Sequence, residues 1–74
     1  MTGYKDLEEM IGVLTTAIAI HEREEMFFRR SAEASTNERA KSLFSEIAEE
    51  LRSHVKLLEA RREKLTEELK KLKA

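Results

Sequence analysis

The 74-residue chain has no cysteine, no proline and no tryptophan, and its two glycines, Gly3 and Gly12, lie near the N-terminus. Folds that turn often use glycine and proline in their turns, so this scarcity excludes a β-sandwich or a β-barrel. The absence of cysteine excludes a disulfide framework and any metal site built from thiolates. From residue 13 onward the sequence contains no glycine or proline, the two residues that most often break a helix. The composition therefore predicts an all-α fold.

An excess of charge of either sign is also missing, since 14 basic residues stand against 15 acidic ones. Interleaved charges are typical of a solvated surface rather than of a patch that binds nucleic acid or anionic lipid. The longest mostly apolar run, residues 10–20, is shorter than the about 20 residues that a membrane span needs. No basic segment followed by an apolar one indicates a secretory signal. We therefore expect a soluble, cytoplasmic protein that binds neither nucleic acid nor membranes.

What the sequence does contain is a stripe of apolar residues at alternating steps of three and four in each half. This spacing predicts two amphipathic helices. The first stripe consists of Leu7, Ile11, Leu14, Ile18, His21, Glu25, Phe28 and Ala32. The second consists of Phe44, Ile47, Leu51, His54, Leu58, Arg61, Leu65 and Leu72, flanked by Ala40, Leu43, Ala48, Val55 and Leu69. Tyr4, Met26, Phe27, Phe28 and Phe44 are expected to be packing residues.

The break between the two helices is predicted at Ser35-Thr36-Asn37. Ser35 followed three residues later by Glu38 is a possible capping box, while Asn37 is an equally good N-cap. We expect one helix over about residues 4–34, a turn at 35–36 and a second helix over about 37–72. A turn this short makes the helices antiparallel.

Residues 1–74 are thus predicted to be a single domain, a helical hairpin that hides one stripe of each helix. Ordering the chain costs about 1.5 kcal/mol of conformational entropy per residue, and burial of one stripe per helix is too small to offset that cost. The simplest partner is a second copy, and the product is an antiparallel four-helix bundle made from two chains. An unidentified protein partner stays open as an alternative.

Four polar residues, His21, Glu25, His54 and Arg61, fall on the two stripes. A buried polar group without a partner costs a few kcal/mol, so each position needs an explanation. Arg61 is expected to extend from the stripe toward glutamates at the bundle end. Glu25, like Glu22 and Glu24, is expected to be exposed because arginines lie within salt-bridge reach.

His21 and His54 are the only histidines, and an antiparallel hairpin places them near the same level. One interpretation is that each is a core histidine bonded to Glu25, Glu50 or Ser53. The other is a transition-metal site in which a two-fold dimer brings four imidazoles together, with Glu25 and Glu50 as auxiliary ligands. Such nitrogen ligands suit zinc, copper or nickel better than iron.

Residues 17–28, together with Ala32, Leu43-Phe44, 47–50, His54 and Leu57-Leu58, resemble the rubrerythrin-like branch of the ferritin-like superfamily. The match runs without a gap over about residues 14–62. The chain resembles one half of a rubrerythrin bundle, and it is similar in size to the half-ferritins packaged inside encapsulin shells. The resemblance implies that two hairpins form one ferritin-like bundle.

The resemblance also implies where a di-iron site would lie, since the family uses a glutamate on the first helix and a Glu-x-x-His pair on the second. These positions are occupied here by His21, Leu51 and His54. A leucine cannot bind a metal, and an imidazole cannot bridge two irons as a carboxylate does. We expect a degenerate di-iron site in a structural or interaction module with no catalytic residues. A dimer that binds a transition metal, or a residual iron-binding ferroxidase, is the alternative.

Overall fold

The computed structural model describes residues 2–73, which form two α-helices and no strand. Helix α1 spans Tyr4–Ala34 and helix α2 spans Glu38–Lys73. This all-helical hairpin is the architecture that the glycine- and proline-poor composition predicted. Neither helix within residues 2–73 combines the length and the apolar character needed to cross a membrane.

The turn between the helices is closed by hydrogen bonds at both of its ends. Asn37 is the N-cap of α2, because its Oδ1 accepts hydrogen bonds from the backbone N–H of Arg39 at 2.9 Å and of Ala40 at 3.1 Å. The backbone N–H of Ser35 donates to the carbonyl of Ser31 at 3.1 Å and ends α1. The sequence left Ser35 and Asn37 as alternative N-caps of α2, and the structure shows Asn37 in that role.

The two helices are antiparallel, since the contacts between them pair residues in reverse order from the turn to the open end. Nearest the turn, Phe28 packs on Phe44 with ring centroids 6.1 Å apart, and farther along His21 lies beside His54 with ring centroids 4.9 Å apart. Toward the open end, Arg62 Nη1 donates to Thr15 Oγ1 at 3.3 Å, and Lys73 Nζ lies 5.4 Å from the ring centroid of Tyr4. The expectation that His21 and His54 lie at one level is confirmed.

The core between the helices is a narrow seam of aliphatic side chains. Its buried members are Leu7, Ile18, Ala32, Ala48, Val55 and Leu58. In α2 only Leu58 belongs to the predicted stripe: Ala48 and Val55 were flanking positions, whereas His54 and Arg61 are exposed. Apolar residues of α2 cover two neighbouring stripes, and periodicity identifies an apolar side without telling which part of it faces α1.

The aromatic residues are buried less than expected. Phe28 and Phe44 pack against each other and are half-buried. Met26 and Phe27 are exposed, although they were expected to be packing residues. A two-helix hairpin has one buried side per helix, and neither residue lies on it.

The hairpin is a thin rod of 55 × 17 × 14 Å with a radius of gyration of 16.7 Å. A compact domain of this length has a radius of gyration of about 11 Å. Its accessible surface is 5757 Å², against about 4,700 Å² for a compact monomer of the same mass. One hairpin therefore exposes about 1,000 Å² more surface than a globular chain of its size.

Candidate self-association face and histidine pair

One long edge of the hairpin is polar and is cross-linked between the helices. It comprises Thr15, Arg29, Glu49 and Arg52; Glu49 directly follows the buried Ala48, and the other three directly follow residues of the predicted stripes. Arg29 Nη2 donates to Glu49 Oε1 across the helices at 3.0 Å. We call this side the polar edge.

Glu25 anchors the polar edge from inside the seam. Its carboxylate accepts a hydrogen bond from Arg29 Nε at 2.9 Å, and its second oxygen lies 3.9 Å from Arg52 Nη1. The hydrogen bonds from Arg29 to Glu25 and then to Glu49 raise the pKa of the guanidinium above its ordinary value. Glu25 is only 8% exposed, so the expectation that it is exposed was wrong, although its pairing with Arg29 was expected. The arginines reach inward along the helix surface and satisfy the carboxylate where it lies.

The opposite edge carries exposed apolar side chains. Val13, Ile20 and Phe27 follow one another at intervals of seven residues on α1, and Val13 and Phe27 are each 64% exposed. On α2, Leu43 and Leu57 are exposed in the same way. We call this side, completed by Ala17 and His54, the apolar face.

Helical geometry places these residues on one side of the hairpin. Ala17 and His54 directly precede the buried Ile18 and Val55, so each is turned by about 100° from the seam in the same helical sense. Because the helices face each other and run in opposite directions, equal turns bring both residues to the same side. Shallow grooves lined by Ala17 on α1 and by His54 on α2 therefore open on the same side.

The two histidines lie at the border between the seam and the apolar face. Their ring centroids are 4.9 Å apart and the ring planes are inclined by 34°. The Nδ1 atom of His21 is 3.0 Å from the carbonyl oxygen of Ala17. A carbonyl only accepts, so Nδ1 donates in this contact, and in the neutral tautomer that makes this bond Nε2 has a free lone pair. Glu24 Oε1 lies 3.8 Å from the same Nδ1.

His54 is exposed in a shallow groove of α2 that also contains Glu49, Glu50, Ser53 and Leu57. Among the hydrogen bonds described for residues 2–73, none involves the His54 ring, so the expected bonds to Glu50 and Ser53 are not formed in one hairpin. The structure thus brings His21 and His54 together and places Glu50 beside them.

The four residues proposed as metal ligands do not all converge. The oxygens of Glu25 are held by Arg29 and Arg52, which removes this carboxylate from the histidine pair. Within residues 2–73 of one chain, no three histidine, aspartate or glutamate side chains are grouped so that they could hold an ion. A single hairpin therefore contributes two imidazoles and no complete site.

The donor set does not fit a di-iron centre. Leu51, where the ferritin-like resemblance would place a ligand, is half-buried and has no donor atom. His21 stands where the resemblance would place the first-helix carboxylate, and a neutral imidazole, with one lone pair, cannot bridge two metal ions.

Comparison with protein-family models, with curated proteins and with solved structures finds no match to this chain. The ferritin-like resemblance therefore stays a prediction from the residues. Sequence reasoning missed Val13 and Ile20 as members of an exposed apolar face. The signal was their seven-residue spacing from Phe27, which runs beside the core stripe rather than along it.

Proposed function

We propose that this protein is a self-associating helical module, in which two hairpins pack their apolar faces together as an antiparallel four-helix bundle of ferritin-like architecture. Its role is structural, or it presents the bundle to a partner; it does not oxidise iron. The exposed apolar face is the observation that supports this proposal. The substitution of Leu51 and His21 for carboxylate ligands supports the absence of iron chemistry.

The size of the exposed surface is consistent with one bundle partner. A standard protein interface buries about 800 Å² on each side. One hairpin exposes about 1,000 Å² beyond what a compact chain of 8.6 kDa exposes. Packing one face against one partner would bring the exposed area close to that of a globular protein.

A second copy is the occupant that the face fits best. A two-fold dimer uses the same surface on both chains, so a single apolar face is sufficient for a closed assembly. The face runs along both helices, from Val13 to Phe27 on α1 and from Leu43 to Leu57 on α2. A second hairpin of identical length covers it from end to end, whereas a globular partner would touch only part of a 55 Å rod.

Sedimentation velocity on the untagged chain, compared with two matched variants, tests this proposal. Ile20→Lys places a charge on the apolar face. Met26 directly follows Glu25 and so lies on the opposite side, where Met26→Lys places the same charge; the two side chains are 48% and 52% exposed. The wild type and Met26→Lys should sediment as dimers. Ile20→Lys should be monomeric and helical, because burying an unpaired ammonium in an interface costs several kcal/mol.

Two results would contradict the proposal. One is a wild-type monomer at 100 µM, and the other is an equal effect of the two lysine substitutions. The same preparation should oxidise ferrous iron no faster than buffer does. Oxidation above the buffer rate would refute the structural role.

A further inference from the structure

We propose that the dimer binds one divalent transition metal ion of the zinc class at its centre, through His21 and His54 of each copy. The inference rests on the proposed dimer, because one chain supplies only two imidazoles. Four nitrogen ligands complete a tetrahedral site with no carboxylate and no solvent ligand.

The spacing of the two rings within one hairpin fits a shared ion. Zinc binds histidine nitrogen at about 2.0–2.1 Å, and two imidazoles on one tetrahedral ion have ring centroids about 5 Å apart. The ring centroids of His21 and His54 are 4.9 Å apart. The hairpin therefore holds half of a tetrahedral ligand set close to the required separation.

The hydrogen bond of His21 prepares one of these ligands. Metal-binding histidines almost always donate the other ring N–H to a carboxylate or to a backbone carbonyl, which fixes the tautomer and the ring orientation. The contact of His21 Nδ1 with the carbonyl of Ala17, at 3.0 Å, is such a bond. It directs the free lone pair of Nε2 away from the helix axis of α1.

His54 needs a partner once the apolar face is covered. It is exposed in one hairpin and has no described hydrogen bond, yet it lies beside Leu57 in the middle of the face. A second hairpin would bury the imidazole, and a buried ring nitrogen without a partner costs a few kcal/mol. A shared metal ion satisfies His54 of both copies at once.

The position of the pair along the rod lets two-fold symmetry assemble the set. His21 lies two residues from the midpoint of Tyr4–Ala34, and His54 lies between one and two residues from the midpoint of Glu38–Lys73. At a rise of 1.5 Å per residue, both are within about 3 Å of the centre of the rod. In a two-fold dimer the four rings therefore lie at the same level, whether the two turns lie at the same end or at opposite ends.

The ligand type selects the ion. Neutral imidazoles suit zinc, copper and nickel, whereas magnesium, calcium and manganese prefer oxygen ligands. Glu50 lines the same groove as His54, and its carboxylate adds negative charge beside the cation. Glu25 is left out of the ligand set because Arg29 and Arg52 occupy it.

Calorimetric titration of the untagged, full-length chain with zinc chloride, in a buffer that does not chelate, tests the site. Half an equivalent of zinc per chain should bind, on samples whose mass is measured in parallel by sedimentation. His54→Ala removes two of the four ligands while changing an exposed side chain. Loss of a hydrogen-bond partner behind a metal ligand weakens metal binding by about 10- to 100-fold, and we expect His54→Ala to weaken zinc binding by more than that. Ser53→Ala, in the same groove, is the matched control and should bind as the wild type does.

The outcomes separate this inference from the function on which it rests. A wild-type dimer that binds no zinc, or that binds it equally well with His54→Ala, overturns the metal site and leaves the module intact. A stoichiometry of one zinc per chain also overturns the shared site. A wild-type monomer would overturn the proposed function and, with it, the metal site that two copies are proposed to share.

Discussion

At the scale of single residues, Glu25 shows how a charge is accommodated inside a small hydrophobic seam. It is buried on the stripe of α1, and its two oxygens are paired with Arg29 and Arg52, which remain half exposed. Buried ion pairs carry a desolvation penalty that their attraction only partly repays, so the pair specifies how the helices meet more than it adds stability. It links α1 to α2 on the polar edge only.

Removing this carboxylate should destabilise the fold. Glu25→Ala leaves two arginines without their partner and opens a small cavity in the seam. We expect a loss of about 1–2 kcal/mol, below the 3–5 kcal/mol for fully buried pairs because both arginines stay accessible to water. Urea unfolding followed by circular dichroism measures it. Glu24→Ala, half exposed one residue earlier, should change the free energy of unfolding by less than about 0.5 kcal/mol. Equal effects of the two substitutions would contradict this role.

The residue-level predictions from the sequence succeeded where chain topology decided them. The proximity of His21 and His54 follows from a short turn and two helices, and the structure confirms it. The burial of Glu25 was not predicted, because the sequence shows that arginines are near but not how far their side chains reach. The exposure of His54 depends on which part of a broad apolar surface faces α1.

At the scale of elements, local chemistry fixes where each helix begins. Asn37 caps α2 by accepting two backbone hydrogen bonds, while the Ser35 hydroxyl accepts one from the backbone N–H of Asn37. Asp6 does the same at the start of α1, where its carboxylate accepts from the N–H of Gly3 at 3.2 Å. These contacts satisfy amide groups that the helix itself leaves without acceptors.

Replacing the cap of α2 should weaken the hairpin by about 1 kcal/mol, since Asn37→Ala removes the acceptor for two N–H groups. Thermal unfolding compares it with Thr36→Ala, an exposed neighbour in the same turn that should be neutral. Asn37→Asp keeps the acceptor and should restore wild-type stability. A neutral Asn37→Ala would mean that another group caps α2.

The sequence predicts the two helices well because its composition favours no competing structure. It does not fully predict which side of each helix is buried. In α1 the predicted stripe and the buried side coincide. In α2 the buried side is shifted to Ala48 and Val55, because its apolar residues occupy two adjacent stripes. The second of those stripes is the one that the proposed dimer would cover.

At the scale of the whole molecule, the hairpin has one cross-linked polar edge and one uncovered apolar face. The asymmetry lies beside the stripes: Thr15, Arg29 and Arg52 directly follow stripe residues, whereas Val13, Ile20 and Phe27 directly precede them. An isolated rod with this pattern keeps these three apolar side chains in water. The proposed side-by-side dimer would remove that exposure and would place His54 in the interior.

Small-angle X-ray scattering on the untagged chain tests this central claim most directly, because it reports mass and length together. Two hairpins of 8.6 kDa packed side by side should give about 17 kDa. The longest dimension should be about 60 Å, which is the 55 Å Cα length plus side chains. A particle of 8.6 kDa, or a dimer about twice as long as one hairpin, would contradict packing through the apolar face.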